Sequence, residues 1–302
     1  MEITTDINLT EKQRAQMELH SFLNILNILM GEFQLIRLDL DQPNALPQSF
    51  RMVELVLRAI KQGCLDKDMA LRMASIGFYF TREVDEALEL EPRHRGEPEL
   101  KESVGNVNSI IHVMTLRLQE YFERVEIGLN WVAHPADQLT DKFMRFFAAV
   151  EKNSKGRYHI LFNVAAREST DYLINFKIEG ASDNSVFMPS VIHDIFRDLI
   201  ANARKYTPPG GEINAGLLQT VHELRLVVED NGSGIPENEI SKVVEFGYRA
   251  ESTKEHLTRG GGFGLTKAYA FTRQLGGRMW IESEIGHGTR VTIRIPVPAH
   301  KG

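Results

Sequence analysis

The spacing of apolar side chains changes once along this chain, close to Arg157. Before that point, apolar residues recur every three or four positions, which is the period of one face of an α-helix. After it, segments such as RYHILFNVAAR and DYLINFKIEG alternate apolar and polar residues, which is the period of a strand. Separate helical and mixed blocks predict an α+β protein with a helical N-terminal part.

The longest unbroken helical pattern is a heptad seam on the first helix. Its members are Leu19, Phe22, Leu26, Leu29, Phe33, Ile36 and Leu40. A second run follows the turn-forming segment DQPNALPQS, and its members are Phe50, Val53, Leu57, Ile60, Cys64, Leu71, Ala74 and Phe78. Two long helices joined by a short loop predict an antiparallel hairpin. Because one hairpin leaves its seam exposed, we expect two chains to close a four-helix bundle as a homodimer.

A third helical block follows the polar linker EPRHRGEPE. Its seam consists of Val107, Ile111, Met114, Leu118, Tyr121 and Val125. The sequence leaves open whether this block extends the bundle or receives a signal from a partner protein.

Charge and composition exclude several classes of function. The net charge of −6 does not favour a nucleic-acid partner. A single cysteine, Cys64, excludes a disulfide within the chain, as expected in a reducing compartment. The stretch SFLNILNILMGEFQLIRL is interrupted by Asn24, Asn27, Glu32 and Arg37, so it does not predict a membrane span. We therefore expect a cytoplasmic protein.

Two motifs place polar side chains at defined positions on predicted elements. In DLIANARKYT, Asp198 and Asn202 are four residues apart on one helix face, where a carboxylate and an amide can hold magnesium and its waters. In DNGSGI, Asp230 follows the strand LRLVVE. An aspartate at a strand end can accept a hydrogen bond from an adenine amine, and the glycines after it let the base approach.

Two further motifs lie downstream. The segment VVEFGYRAES contains Phe246, and RGGGFGL places four glycines in five positions before a helical run. Backbone amides and the helix dipole at such an N-terminus favour an anion such as phosphate. The segment GHGT precedes the last predicted strand and completes the set.

In this order, the motifs resemble the N box, first glycine box, F box and second glycine box of the ATPase fold shared by gyrase, Hsp90-type chaperones, histidine kinases and mismatch-repair proteins. The segments NARKYTPPGG and GGFGLTKAYAFTRQLGGRMWIESEIGHGTRVTIRIP are most similar to sensor histidine kinases. The resemblance covers about residues 137–298. It implies a dimerisation and histidine-phosphotransfer domain at 1–96, a helical extension at 97–136, and an ATP-binding α/β sandwich at 137–302.

The resemblance also implies residues that bind ATP and magnesium. Asp230 is expected to contact the adenine, and Asn202 to hold magnesium together with the phosphates. Arg249 and Lys254 are candidate charge partners of the phosphates. The other implied nucleotide-binding residues are Lys205, Tyr206, Gly232, Gly234, Phe246, Gly260, Gly262, Gly264, Leu265 and Thr289.

Sensor histidine kinases carry a phosphoaccepting histidine on the first helix of the bundle, and His20 is the histidine at that place here. Asn24 matches the position where related kinases keep Thr or Asn to orient a water against the phosphorylated regulator. The chain departs from the family pattern at Ser21, where relatives have an acid that activates the imidazole, and at Ile25, where proline is common. It also has Asp198 where asparagine is usual. This carboxylate could assist magnesium, polarise the histidine or be solvated.

The function implied by the resemblance is a dimeric protein-histidine kinase that autophosphorylates His20 and passes the phosphoryl group to an aspartate of a response regulator. A separate sensor protein is a further expected partner. Two alternatives stay open. A protein serine kinase of the anti-sigma or dehydrogenase-kinase kind is favoured by Asp198 and by the missing acid after His20. A phosphotransfer or scaffold protein would use the bundle only to dock a regulator.

Overall fold

The computed structural model describes residues 1–62, 65–152, 156–163, 167–181, 184–249 and 261–298. The chain divides into two compact units. The first, called the helical unit, is Leu9–Glu126, and the second, called the sheet unit, combines Met1–Asn8 with Ile127–Gly302. The sequence predicted limits at 96 and 136, at the polar linker EPRHRGEPE and at the start of the region that resembles the ATPase fold.

The helical unit contains four α-helices among its described residues. They are α1 (Glu11–Asp39), α2 (Pro47–Lys61), α3 (Lys67–Leu90) and α4 (Pro98–Ile127). Thr10 and Gln13 form a capping box that starts α1, and Asp66 accepts a hydrogen bond from the Met69 amide at the start of α3. Proline at the first position of α2 and of α4 is compatible with a helix start, where no amide hydrogen is needed.

The α1 seam is buried along its whole length, as the heptad pattern predicted. Its partners belong to the other three helices of the same chain. The Phe33 ring lies 5.4 Å from the rings of both Phe50 on α2 and Phe80 on α3, and Phe22 lies 6.0 Å from Tyr121 on α4. Four helices of one chain therefore share one core, so burial of this seam does not by itself require a second chain.

The second predicted helix differs from the structure in which of its residues are buried. It is two helices, α2 and α3, and the predicted seam residues Leu71 and Phe78 are 70% and 67% exposed. The core face of α3 instead carries Met73, Ile76, Phe80, Val84 and Ala87. The chain turns between the two helices, and the buried carboxylate of Glu83 late on α3 accepts hydrogen bonds from the Gln48 and Ser49 amides at the start of α2. The face of α3 that is buried is therefore set by the helices it packs against and does not continue the buried face of α2.

The sheet unit contains eight described strands. They are β1 (Val132–Pro135), β2 (Ile160–Leu161), β3 (Tyr172–Glu179), β4 (Ser185–Met188), β5 (Glu212–Gln219), β6 (Glu223–Asp230), β7 (Arg278–Glu284) and β8 (Gly288–Pro296). Six form one sheet in the order β2-β3-β5-β6-β8-β7, and β1 pairs with β4. Strands β2, β3 and β5 are parallel, whereas β5, β6, β8 and β7 are antiparallel.

Three helices pack with this sheet on one hydrophobic core. They are α5 (Ala136–Lys152), α6 (Val191–Tyr206) and α7 (Gly264–Gln274). Phe143, Phe196 and Tyr269, one from each helix, are 1% exposed or less. The alternating burial along β5 and β6 matches the period-two pattern of their sequences. The predicted α+β class is confirmed.

Among the described residues, no single helix has the length and apolar composition to cross a membrane. One bent pair, Glu11–His20 with Phe22–Asp39, meets those two criteria together.

Candidate nucleotide site and candidate phosphoacceptor

Asp230 ends β6 in the middle of the six-stranded sheet, between Ile213 of β5 and Thr289 of β8. Its Oδ1 accepts a hydrogen bond from the Gly232 amide at 2.9 Å. Burial raises the pKa of this carboxyl to about 6, and this effect outweighs the hydrogen bonds from the Gly232 and Thr289 backbones, which favour the ionised form. A partly buried carboxylate that is oriented by backbone hydrogen bonds is suited to accept a further hydrogen bond from a ligand amine.

The turn after Asp230 needs glycine at Gly234. Its φ is +72°, and a Cβ there would lie 2.0 Å from the Glu284 carbonyl oxygen, so both the conformation and the space exclude a side chain. The Ile235 amide after it donates to Ser283 Oγ at 2.7 Å, and Ser283 Oγ also lies 2.8 Å from Thr289 Oγ1. These bonds attach the first glycine motif to β7 and β8.

Ser283 was not identified from the sequence. Its only signal is its register, since it stands opposite Thr289 in the β7–β8 pair. That register could be read only once the two strands had been paired.

The second glycine motif begins α7 against α6. The described part of this loop contains Gly262, whose φ is +72° and whose Cβ would lie 2.5 Å from the Tyr248 carbonyl oxygen. At the first residue of α7, a Cβ on Gly264 would lie 2.9 Å from Nδ2 of Asn202. The N-terminus of α7 and the Asn202 amide are therefore in direct contact, which brings the predicted magnesium residue to the predicted phosphate loop.

The aromatic motif packs on this loop. The rings of Phe246 and Phe263 are 4.8 Å apart, and Thr266 Oγ1 donates to the Glu245 carbonyl at 2.9 Å. Leu265 is half-buried in the core of the sheet unit. Gly260 and Lys254, also predicted for this site, lie outside the described residues.

Two predicted residues lie at the end of α6. The ammonium of Lys205 is 4.8 Å from the centroid of the Tyr206 ring, a cation–π distance. The Tyr206 carbonyl accepts a hydrogen bond from the Ser233 amide at 3.0 Å. The helix end thus contacts the turn that follows Asp230.

Asp198 is engaged in an ion pair. Its Oδ2 lies 2.9 Å from Nζ of Lys267 on α7, and Asp194 Oδ2 lies 3.8 Å from the same nitrogen. The Lys267 and Asp194 side chains are 10% and 9% exposed, and Arg197 also binds Asp194 at 2.8 Å. The sequence left three roles open for Asp198, and this pairing, which it did not foresee, balances the carboxylate charge within the protein.

His20 and Asn24 lie on α1, in the helical unit, and not with the residues described above. The Asn24 amide nitrogen is 3.2 Å from Nε2 of His20, one helical turn away. Because an amide NH₂ only donates, Nε2 accepts this bond, so it carries a lone pair and the ring proton is on Nδ1. A lone pair on Nε2 is what a nucleophilic imidazole needs.

Part of the sheet unit matches a known protein family. Residues 189–299 match the family model described as histidine kinase-, DNA gyrase B-, and HSP90-like ATPase. This segment contains every predicted nucleotide-binding residue of the chain, from Asn202 to Thr289. This part of the sheet unit is therefore similar to the ATPase domains of that family.

Among the proteins that carry this kind of ATPase domain, the chain is similar in sequence to histidine kinases. The chain is 33% identical over 110 residues to the adaptive-response sensory kinase SasA of Synechococcus elongatus, which is 36% of this chain and 28% of that protein. It is 36% identical over 106 residues to histidine protein kinase DivJ of Caulobacter vibrioides, 35% of this chain and 18% of that protein. Sensor histidine kinase WalK of Bacillus subtilis is 33% identical over 107 residues, again 35% and 18%. The resemblance to sensor histidine kinases is confirmed, while the chain spans less than a third of the length of each of these relatives.

Solved structures of histidine kinases are also similar. The catalytic domain of histidine kinase ThkA has a TM-score of 0.41 and 20% identity, covering 56% of this chain and 96% of that chain. The structure of ThkA in complex with response regulator protein TrrA has a TM-score of 0.40 and 18% identity, covering 78% and 63%.

Proposed function

We propose that this protein is an ATP-dependent protein-histidine kinase that phosphorylates its own His20 and passes the phosphoryl group to an aspartate of a response regulator. The observation that carries the proposal is the half-buried carboxyl of Asp230, which accepts a hydrogen bond from the Gly232 amide in a segment that matches the ATPase family. The relatives named as sensor kinases support the choice of histidine as acceptor.

ATP would bind with its adenine amine donating to Asp230 and its phosphates against the loop before α7. The N-terminus of α7 would offer its first-turn amides, which point out of the helix, and the positive end of the helix dipole to these phosphates. Gly262 and Gly264 lack side chains because the Tyr248 carbonyl and the Asn202 amide lie close to them, and this packing holds the loop backbone against α6 at the proposed phosphate site.

Magnesium fits this arrangement. The side-chain oxygen of Asn202 is a ligand that magnesium accepts, and the residue already contacts Gly264 at the phosphate loop. The described residues contain no group of three His, Cys, Asp or Glu side chains that could hold a metal, so the remaining ligands would be phosphate oxygens and water. When bound, the metal would neutralise phosphate charge during transfer.

His20 would act through Nε2. Its lone pair forms the new nitrogen–phosphorus bond while the bond from the γ-phosphorus to the bridging oxygen breaks, and ADP leaves with that electron pair. The Nδ1 proton is then lost to solvent or to a base. Asn24 keeps the lone pair on Nε2 before transfer and must release it for attack. With Ser21 at the place of the usual acid, we expect slow autophosphorylation.

The serine-kinase alternative requires Asp198 as a base toward a hydroxyl group. Its Oδ2 already accepts a hydrogen bond of 2.9 Å from Nζ of Lys267, so this oxygen is engaged within the protein rather than directed at a substrate hydroxyl. This contact weakens the alternative. The scaffold alternative would not need the paired glycine motifs around Asp230.

We also propose that the kinase is a homodimer and that it works in the cytoplasm, where its ATP and regulator are found. The support for a dimer is no longer the α1 seam but the apolar residues that one chain leaves exposed. On α1 and α3 they include two pairs spaced by seven residues, Ile28 with Leu35 and Leu71 with Phe78, and also Leu38 and Leu90. A second copy is the partner to which a repeated helical face of this kind fits.

The proposed function is tested by incubating the protein with magnesium and γ-labelled ATP, followed by mapping of the labelled residue. We expect label on His20 that is lost in acid, since phosphohistidine is acid-labile, and no label in His20→Gln. His112→Gln, an exposed histidine on α4, is the matched control and should label normally. Acid-stable label that persists in His20→Gln would overturn the assignment in favour of the serine kinase.

A further inference from the structure

The first eight residues belong to the sheet unit, although the helix that follows them belongs to the helical unit. We call residues 1–8 the N-terminal strap. The main chains of Met1 and Ile281 exchange hydrogen bonds of 2.8 and 2.9 Å, and the Ile3 amide donates to the Met279 carbonyl at 2.9 Å. The strap thus pairs with β7, the outermost strand of the sheet.

Side chains fix the strap as well. Ile3 is 2% exposed and lies in the core of the sheet unit. The Tyr269 hydroxyl, on α7, is 3.2 and 2.8 Å from the carbonyl oxygens of Ile3 and Thr5. Arg278 makes two bonds of 2.8 and 2.7 Å to the carboxylate of Glu2. An apolar anchor, a buried tyrosine and a bidentate ion pair together make a specific attachment rather than a chance contact.

The strap runs into α1 with almost no free chain between them. Thr10 caps α1, the Gln13 side chain closes the capping box, and Arg14 Nε lies 3.4 Å from the Leu9 carbonyl. His20 is about 14 Å along the helix from Glu11, at a rise of about 1.5 Å per residue. Adding the chain from Thr5 to Glu11, the covalent path keeps His20 within about 35 Å of the anchored strap, however the two units are arranged.

The other end of this link is the nucleotide helix. Tyr269 is five residues after Gly264, so it lies about 8 Å along α7 from the end that faces the phosphate loop. The strap therefore connects the helix that carries His20 to the helix whose N-terminus we assign to ATP phosphates.

We propose that the N-terminal strap holds the phosphoacceptor helix to the ATPase domain of its own chain, stays seated during transfer, and so directs the phosphoryl group to His20 of that same chain. Ile3 and Tyr269 are its positioning residues. The proposal rests on the proposed function and adds to it the route of transfer within one chain. An intramolecular route raises the effective concentration of His20 at the nucleotide.

The first test releases the strap. Ile3→Asp introduces a charge at a buried position and should expel the strap, while Ile3→Val should leave it seated. We expect initial labelling of His20 to fall about tenfold or more in Ile3→Asp, since a bound and oriented reactant is lost. ATP affinity measured by calorimetry should stay within about twofold, because the hydrogen bonds of the strap within the described residues go to β7, Tyr269 and Ser241, outside the nucleotide motifs. Tyr269→Phe, which removes only the hydroxyl group, should give a smaller decrease.

A cross-link then tests rescue. Glu2 and Trp280 stand opposite each other as a non-hydrogen-bonded antiparallel pair, the geometry in which the two Cα atoms are closest. The changes Glu2→Cys and Trp280→Cys, made in a Cys64→Ser background, should form a disulfide on oxidation. We expect the oxidised form to restore labelling to the Ile3→Asp chain and reduction to remove it again. If oxidation instead stops labelling in a chain with native Ile3, the strap must leave for transfer and the proposal is wrong.

Mixing separates transfer within a chain from transfer between chains. His20→Gln keeps the ATP site, and Asp230→Ala keeps the histidine. We expect a mixture refolded together to label Asp230→Ala chains no more than that variant labels alone. Label on those chains at a rate near that of the parent protein would overturn the intramolecular route.

Amide hydrogen exchange tests the pairing of the strap with β7 without relying on kinase activity. The amides of Ile3 and Ile281 should be protected in the parent protein and exposed in Ile3→Asp. If the parent protein takes up no label at all, the proposed function fails, whereas rapid exchange at both amides in the parent would overturn the strap itself.

Discussion

Lys267 of α7 and Asp198 of α6 form an ion pair with 2.9 Å between Nζ and Oδ2, beside the contact of Asn202 with Gly264. Asp194 approaches the same ammonium to 3.8 Å. Since two carboxylates on one helix share one buried cation on the other, the pair fixes the separation of α6 and α7 where the proposed magnesium site lies.

Removal of the cation should be costly. Lys267→Met leaves Asp198 without its cation and Asp194 with Arg197 in place of two cations, and we expect the free energy of unfolding to fall by about 3 kcal/mol, as for other broken buried pairs. Urea denaturation followed by fluorescence measures this. Lys242→Met, at an exposed lysine, is the control and should change stability by less than about 0.5 kcal/mol. The double change Asp198→Asn with Lys267→Met should cost less than the sum of the single changes, and strict additivity would contradict the coupling.

The raised pKa of Asp230 predicts a pH dependence of adenine binding. An adenine amine needs an ionised acceptor, so affinity should rise as pH increases through about 6 and decrease about tenfold per unit below it. Calorimetry with adenosine from pH 5 to about 8 avoids titration of phosphate groups. Asp230→Asn should bind weakly without this dependence, and Glu229→Gln should keep it. A flat profile in the parent protein would contradict the assignment.

The same group predicts a trend in stability without ligand. The folded pKa of Asp230 is about 6 and its ordinary value is 3.8, so the unfolded chain loses the proton first as pH rises. The contribution of Asp230 to folding is therefore greatest below about pH 4 and decreases as pH rises to about 6. Unfolding of the parent and Asp230→Asn proteins at several pH values should differ in slope across this window, with the larger loss on raising pH in the parent.

The contact of Asn24 with His20 predicts a tautomer. In the parent protein, ¹⁵N spectra should show neutral His20 with its proton on Nδ1. Asn24→Ala removes a hydrogen bond of about 1 kcal/mol and should move the population about fivefold toward the other tautomer. Asn27→Ala, at an exposed position of α1, is the matched control and should leave the spectrum unchanged.

The stability of the helical unit should depend strongly on Glu83. Its buried carboxylate accepts from the Gln48 and Ser49 amides and from the Ser49 hydroxyl at 2.6 Å. Glu83→Ala leaves these donors unpaired at a helix N-terminus, and we expect a loss of about 2–4 kcal/mol. Glu86→Ala, where the side chain is 62% exposed, should change thermal stability little. Equal effects of the two changes would contradict this role.

Much of the fold and of the candidate site followed from local patterns. The α1 seam was predicted because burial on a helix repeats with the helix period, and all of its members are buried. The local surroundings of Asp230 and Asn202 could also be predicted, since each motif is only a few residues long. The motifs place an acid at a strand end, a polar face on a helix, and glycines where the backbone packs closely.

The sequence by itself determined most of the elements and their order and indicated the chemistry of each motif, because these depend on neighbours in the chain; it joined α2 and α3 into one helix. Only the tertiary structure decided the phase of α3, the place of α4 in the same core, the attachment of the strap to β7, and the partner of Asp198. Each of these depends on contacts between distant residues, such as Asp198 with Lys267, which are 69 positions apart. Helix periodicity and turn chemistry do not encode such pairs, since which surfaces meet depends on how the whole chain minimises its exposed apolar area and balances its buried charges.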